Sequence, residues 1–445
     1  MKNWMNRASF LAISTAAVLV LSGVLSTTSK TGDYSDNYPA SVCPPALNGV
    51  TAAVSTPSIH SPYHLVRGRS LRDREIKSLR LTTGATPIVI DAQAITPLMW
   101  QNRIGTWAGG VPCQAPQASQ WFVGGSADIT SRGNLIIVNS GLSAALVDVQ
   151  VWSESGEQPT KTISVSASGS QVLRLDSLAP GAARTVIHVA PRSGRINAFL
   201  VDERGRGLRS LGGDLVNSTT AADKEIVIAG IPQVSQEKSK KKGSKAAIPQ
   251  SHLLRVLVPG EVDARISVEV ISPDGIFNPV GFTARIAKAG IVNDFLFDPN
   301  LGAGNFAIRI TSDQKVVASV QSTIKSLSGR SDFVWSTRTT ALKEFTIATT
   351  GLAPVMTFSG SRISLSIRAL FTNGKVKTFK VKGTDLVTWR APANTRSLTF
   401  QKVGKDIFAG ALQTSASGTA FYPMVPGSQI TRTAIPRSNI RVLNP

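Results

Sequence analysis

Four histidines, two cysteines and 27 carboxylates supply the reactive side chains of this chain, and their spacing assembles none of them into a recognisable catalytic set. His60-Ser-Pro-Tyr-His64 has the i, i+4 interval that puts two imidazoles on one helical face around zinc, but Pro62 forbids that helix. Ser322-Thr-Ile-Lys325 matches S-x-x-K and Lys30-Thr-Gly32 matches K-T-G, the elements of penicillin-recognising enzymes. Their order is reversed, and no helix is expected at Ser322 to carry the first. No G-x-S-x-G elbow occurs, and no glycine-rich loop opens a helix to hold phosphate. Paired acids for sugar hydrolysis would have to converge from separate turns, which spacing alone leaves open. The expectation is therefore a non-catalytic protein with no cofactor and no metal site, a wall-glycan enzyme with carboxylates between modules being the alternative.

Cys43 and Cys113 are the only cysteines. In an oxidising compartment two thiols without a competitor most simply form one disulfide; two buried thiols are the alternative. Closing a loop of about 70 residues would stabilise the fold by roughly 4 kcal/mol in the chain-entropy model. A C-x-x-C motif is absent, so thiol exchange chemistry has no residues to run on.

The elements that would position any site are strands. One strand, turn and strand pattern occurs three times: Leu135-Ile-Ile-Val-Asn-Ser-Gly141 before Ala145-Leu-Val-Asp-Val-Gln-Val-Trp152, Leu254-Arg-Val-Leu-Val-Pro-Gly260 before Ala264-Arg-Ile-Ser-Val-Glu-Val-Ile271, and Phe345-Thr-Ile-Ala-Thr-Thr-Gly351 before Ile363-Ser-Leu-Ser-Ile-Arg-Ala-Leu370. From the first glycine to a closing alanine, Ala198, Ala318 or Ala409, the interval is 57, 58 and 58 residues. Alternation such as Val147, Val149, Val151 against Asp148 and Gln150 predicts strands with one buried face. The expected fold is all-β: tandem immunoglobulin-like antiparallel β-sandwich modules after one N-terminal transmembrane helix, without the cysteine pair of antibody domains. Trp152, Trp335 and Trp389 read as core or sheet-face aromatics, a carbohydrate platform being the other use of such rings. Trp100, Trp107, Trp121 and Phe122 flank Cys113 and are expected to pack on the disulfide.

That helix is expected in residues 8–25, which hold no charge and follow Lys2 and Arg7. Its length is at the lower limit for a span and long for a cleaved signal, so both readings stand. Basic residues before the run place the amino end in the cytoplasm and the remainder outside it, on a single-pass cell-membrane protein. The resulting organisation is an anchor or signal peptide over 1–30, a juxtamembrane spacer and small β region over 31–118, and modules at 119–220, 221–328 and 329–445.

A net charge of +21 marks the chain as strongly basic. Two segments concentrate it. Arg67, Arg69, Arg72 and Arg74 form one, continued by Lys77 and Arg80; Lys238, Lys240, Lys241, Lys242 and Lys245 form the other, in a loop between expected strands at 226–231 and 253–258. Residues 331–445 add 15 Lys and Arg against four acids. Such a field draws anionic polymers or lipid headgroups, while the alternative is solubility and the guarding of strand edges. Nucleic acid fits the charge but not the compartment.

The anchor, Cys43-Pro-Pro45, Cys113 with Trp121-Phe-Val-Gly-Gly125 downstream, and the strands at 135–141 and 147–152 resemble an uncharacterised family of actinobacterial membrane-anchored envelope proteins. The resemblance supplies no catalytic residues. It implies a tethered protein that binds or scaffolds a cell-envelope protein or an anionic wall polymer; a passive structural spacer is the third reading.

Overall fold

A computed structural model describes residues 40–428 apart from 57, 69–72, 92–93 and 235–251, and all of them fall in one compact unit. Strands dominate it, and the one α-helical element among the described residues is the single turn Leu175–Leu178. Among these residues no helix is long and apolar enough to cross a membrane. The expected anchor at 8–25 lies outside them.

Two-residue periodicity becomes two-faced strands. In β12 (Ala145–Ser153), Val147, Val149 and Val151 are buried while Leu146 is exposed and Asp148 and Gln150 are half-exposed. The strand β21 (Ala264–Ser272) repeats that pattern residue for residue. Both pack one face into a core and leave the other to solvent.

One pairing scheme recurs four times, not three. In the second sandwich it runs through β10 (Gln120–Val123), β11 (Asn134–Asn139), β12, the short β13 (Gly156–Glu157) and β14 (Lys161–Val165), β15 (Gly169–Arg174), β16 (Val186–Pro191), β17 (Ile196–Arg206) and β18 (Arg209–Val216). One sheet has the order β10-β16-β12-β13, with β14 also on β12, and the other β15-β11-β17-β18. The first sandwich has the same plan with β1 (Ser41–Cys43), β6 (Ile88–Ile90), β3 (Pro62–Leu65) and β4 (Arg74–Glu75) in one sheet. Its second sheet is β5 (Arg80–Thr83), β2 (Thr51–Ser55), β8 (Leu98–Arg103) and β9 (Trp107–Pro112).

The remaining two sandwiches fuse neighbouring strands. In the third, β25 (Gly304–Lys325) pairs through its first part with β19 (Asp223–Gln233) and β21, and through its second with β20 (His252–Leu257) and β26 (Ser331–Thr337). The strand β24 (Val292–Phe297) completes that sheet beside β20. In the fourth, β28 (Val355–Phe371) and β29 (Val376–Arg390) each take two strand positions, joined by β27 (Phe345–Ala348), β30 (Thr395–Gln401), β31 (Phe408–Thr414) and β32 (Thr419–Pro423). A register shift between Gly360 and Ile363 marks where β28 changes partner from β31 to β30.

The closing alanines occupy equivalent places: Ala198 faces Ile137, Ala318 faces Val256 and Ala409 faces Phe358 across the same strand pair. Gly351 is not equivalent to Gly141 and Gly260. The strand it follows, β27, pairs with β30 as β10 pairs with β16, and the counterpart of β11 is the first part of β28.

The four last strands form a closed circuit, with β9 packed on β18, β18 on β26, β26 on β32 and β32 on β9. Each neighbouring pair shares an apolar cluster. Trp107 and Val42 meet Leu215 and Phe199 between the first and second sandwiches; Val123 and Trp152 meet Leu257 and Val317 between the second and third. Ile324 and Val334 meet Leu412 and Phe421 next, and Leu98 and Trp100 join the fourth core. A short strand β7 (Ile95–Thr96) seals that last seam by parallel pairing with β27.

Candidate functional site

At the centre of the circuit polar groups are enclosed. Asp332 Oδ1 accepts from the Gly213 N–H at 3.0 Å, and Asp214 Oδ2 accepts from the Trp335 N–H at 2.7 Å. Trp335 Nε1 donates to Asp202 Oδ2 at 2.8 Å, and Arg204 forks onto the same carboxylate at 2.9 and 3.1 Å. The strands approach closely because glycines line them: a Cβ on Gly213 would stand 2.9 Å from the Trp107 ring, and one on Gly418 would overlap Asp332 Oδ2 and the Ala108 nitrogen. Burial pushes the Asp332 carboxyl up to about 8 against the pull of neighbouring N–H groups. Burial likewise raises Asp214, and the Asp332 charge adds to it. These carboxyls are shut away from solvent, so they hold the seam together without offering an acid to a substrate.

The open site lies off-centre, between the third and fourth sandwiches. A cleft of about 490 Å³ is lined by Gln233, Asn305, Lys325, Thr388, Arg390 and Thr414 among others, with Ile324, Val355 and Leu412 as apolar floor. Among the described residues its lining contains no Asp or Glu, so none of them there offers the pair that a two-carboxylate hydrolysis needs.

Gln233 ends β19 and is 5% exposed. Its Oε1 lies 2.7 Å from His252 Nε2, and His252 Nδ1 lies 2.8 Å from Ser322 Oγ. Burial drives the His252 pKa down to about 4, so the ring is neutral at pH 7. A neutral ring that donates from Nε2 to the amide oxygen accepts the Ser322 hydroxyl at Nδ1. This chain orients the Gln233 amide by its oxygen, and its Nε2 is buried with no hydrogen-bond partner among the described residues. A buried donor left open is costly, which marks the spot where a ligand acceptor would be bound. Serine, histidine and an orienting amide in sequence resemble a nucleophile relay. Ser322 is fully buried on a strand and does not line the cleft, so S-x-x-K is a coincidence of spelling here.

The cysteines expected to pair do so, with S–S 2.07 Å and Cα–Cα 4.7 Å. Arg67 and Arg74 are exposed at the outer edge of the first sandwich, away from the cleft lining. Arg69, Arg72, Lys238, Lys240, Lys241, Lys242 and Lys245 lie outside the described residues, as do Lys30 and Gly32. Arg80 is a seam residue whose Nη1 donates to Thr350 O at 3.1 Å. The aromatic residues around Cys113 do not pack on the disulfide. The cluster holding Cys43 and Cys113 is built from Val54, Ile76, Ile88, Ile90 and Met99, whereas Trp107 joins the seam to the second sandwich and Trp100 the fourth core. Trp121 stacks on Trp152 at 5.4 Å and on His188 at 4.0 Å. Sequence reasoning missed Gln233, Asn305 and Arg390, since nothing local distinguishes them.

Residues 100–387 match DUF5719, a family of unknown function, from β8 to within β29. No curated protein matches the chain.

Proposed function

The chain belongs to the DUF5719 family, and from that premise we propose that it is a non-catalytic binding protein of the cell envelope. It holds an anionic, hydroxyl-rich wall component in the cleft between its third and fourth sandwiches. The observation that carries this reading is a cleft whose charged lining is Lys325 and Arg390, beside a buried Gln233 amide nitrogen that has no partner among the described residues. A phosphate- or carboxylate-bearing polymer supplies the acceptor oxygens that such donors take. The disulfide suits an oxidising compartment, and residues 8–25 supply the tether that keeps the protein at the outer face of the membrane. In this reading each sandwich is an immunoglobulin-like variant whose first strand takes the sheet edge usually held by the last. A closed circuit of four gains little reach from its modules, which speaks against a passive spacer.

Isothermal titration of the purified ectodomain with a phosphate-bearing wall polymer at low salt tests the proposal. Saturable binding is expected, and Gln233→Leu with Arg390→Ala should weaken it by at least tenfold, since each lost bond to a charged group is worth about 1.5–3 kcal/mol. Absent binding, or an unchanged affinity in the double variant, would sink it.

A further inference from the structure

We propose that the first sandwich carries a divalent-cation site made by His64, Asp73 and Asp91. It is independent of the cleft. One ligand atom from each of the three lies within 4.8 Å of the other two.

Register explains the convergence. In the antiparallel pair of β3 and β4, Pro62 faces Glu75 and Tyr63 faces Arg74, so the next position sets Asp73 opposite His64. On the other side of β3, Tyr63 faces Ile90 and His64 faces Val89. Asp91 follows directly, with its backbone N–H bonded to Pro62 O at 3.3 Å. Alternation then puts His64, Asp73 and Asp91 on one face of the sheet, drawn from three adjacent chain segments. Donors around a metal bound at about 2.1 Å stand about 3 to 4 Å apart, so small side-chain rotations close this set.

Two carboxylates and an imidazole gathered in this way, with none of the three side chains hydrogen-bonded or ion-paired to another described residue, show no other reason to converge among the described residues. A cation supplies one. The imidazole disfavours Mg2+ and Ca2+, which take oxygen donors, and no thiol is available because both cysteines are joined. The set suits a borderline ion such as Zn2+, with the harder Mn2+, which accepts an imidazole beside carboxylates, as the second candidate and remaining coordination positions open to solvent. His60, the residue that sequence spacing pairs with His64, is not a member: its Nδ1 lies 2.6 Å from Glu75 Oε1.

Equilibrium dialysis of the full ectodomain against Zn2+, repeated with Mn2+, reads the stoichiometry and affinity. One saturable equivalent is expected for at least one of the ions. His64→Ala, Asp73→Asn and Asp91→Asn should each weaken it at least tenfold, and His60→Ala should leave it within twofold. Asp73 is exposed ahead of a two-residue strand, so its variant keeps the fold, and near-UV circular dichroism checks the other two. No saturable binding of either ion, or equal losses in the His60 and His64 variants, would overturn the site.

Discussion

The first and fourth sandwiches share one pairing scheme and close it by different means. In the first, β1, β3, β4 and β6 run for only two to four residues, and the core is small: Val54, Ile76, Ile88, Ile90 and Met99 around a disulfide. The fourth has no cysteine, but β28 and β29 run for 17 and 15 residues over a core in which Phe345 stacks on Phe400 at 5.1 Å. A crosslink that restricts the unfolded chain stands where the other sandwich uses buried aromatic area. Topology alone therefore does not fix how a β-sandwich is stabilised.

Three changes would break or sharpen that contrast. The largest effect is expected from Cys43→Ala with Cys113→Ala, which should lower stability by about 4 kcal/mol in denaturant titrations. Hydrogen exchange should then rise in β2, β6 and β8 and stay slow in β28 and β30; equal losses in both would erase the distinction. Phe400→Ala should cost about 3 kcal/mol and reverse the pattern, loosening β27 to β31 first. The third change is read as a pH dependence and concerns the seam that both sandwiches share. Asp332 is protonated in the fold up to about pH 8, whereas in the unfolded chain it ionises near 3.8. Between these values the native state binds the extra proton, so this group's contribution is full below about pH 4 and is lost as pH rises towards 8, by at most about 1.4 kcal/mol per unit. Asp332→Asn should flatten that part of the stability profile, and an unchanged slope would show that the carboxyl does not govern it.

Much of this architecture was legible where glycines and alternating valines coincide. The second and third sandwiches announce themselves at Gly141 and Gly260 because a glycine follows the strand and a nine-residue half-buried strand comes next. In the fourth, β28 runs through the corresponding corner with a register shift at Gly360, so the eye settles on Gly351, one strand too early. The first sandwich was legible only as a small β region over 31–118, because its strands run for two to six residues and are too short to show a clear period. The candidate site was harder still. Gln233, Asn305 and Arg390 come from β19, β25 and β29 and meet only through the packing of two sandwiches, which spacing along the chain does not encode. His64 was visible, but its cross-strand neighbours lie 9 and 27 positions onward.

The circuit of β9, β18, β26 and β32 also bears on how such a protein can change over evolutionary time. An open row of domains tolerates the duplication or loss of a member, because only one junction must heal. Here every member has two flanks already committed, so deleting one would expose apolar surface on both sides of the gap, and adding a fifth would pry apart a fitted closure. Members of this lineage should therefore vary in their outer turns while keeping a fixed number of sandwiches.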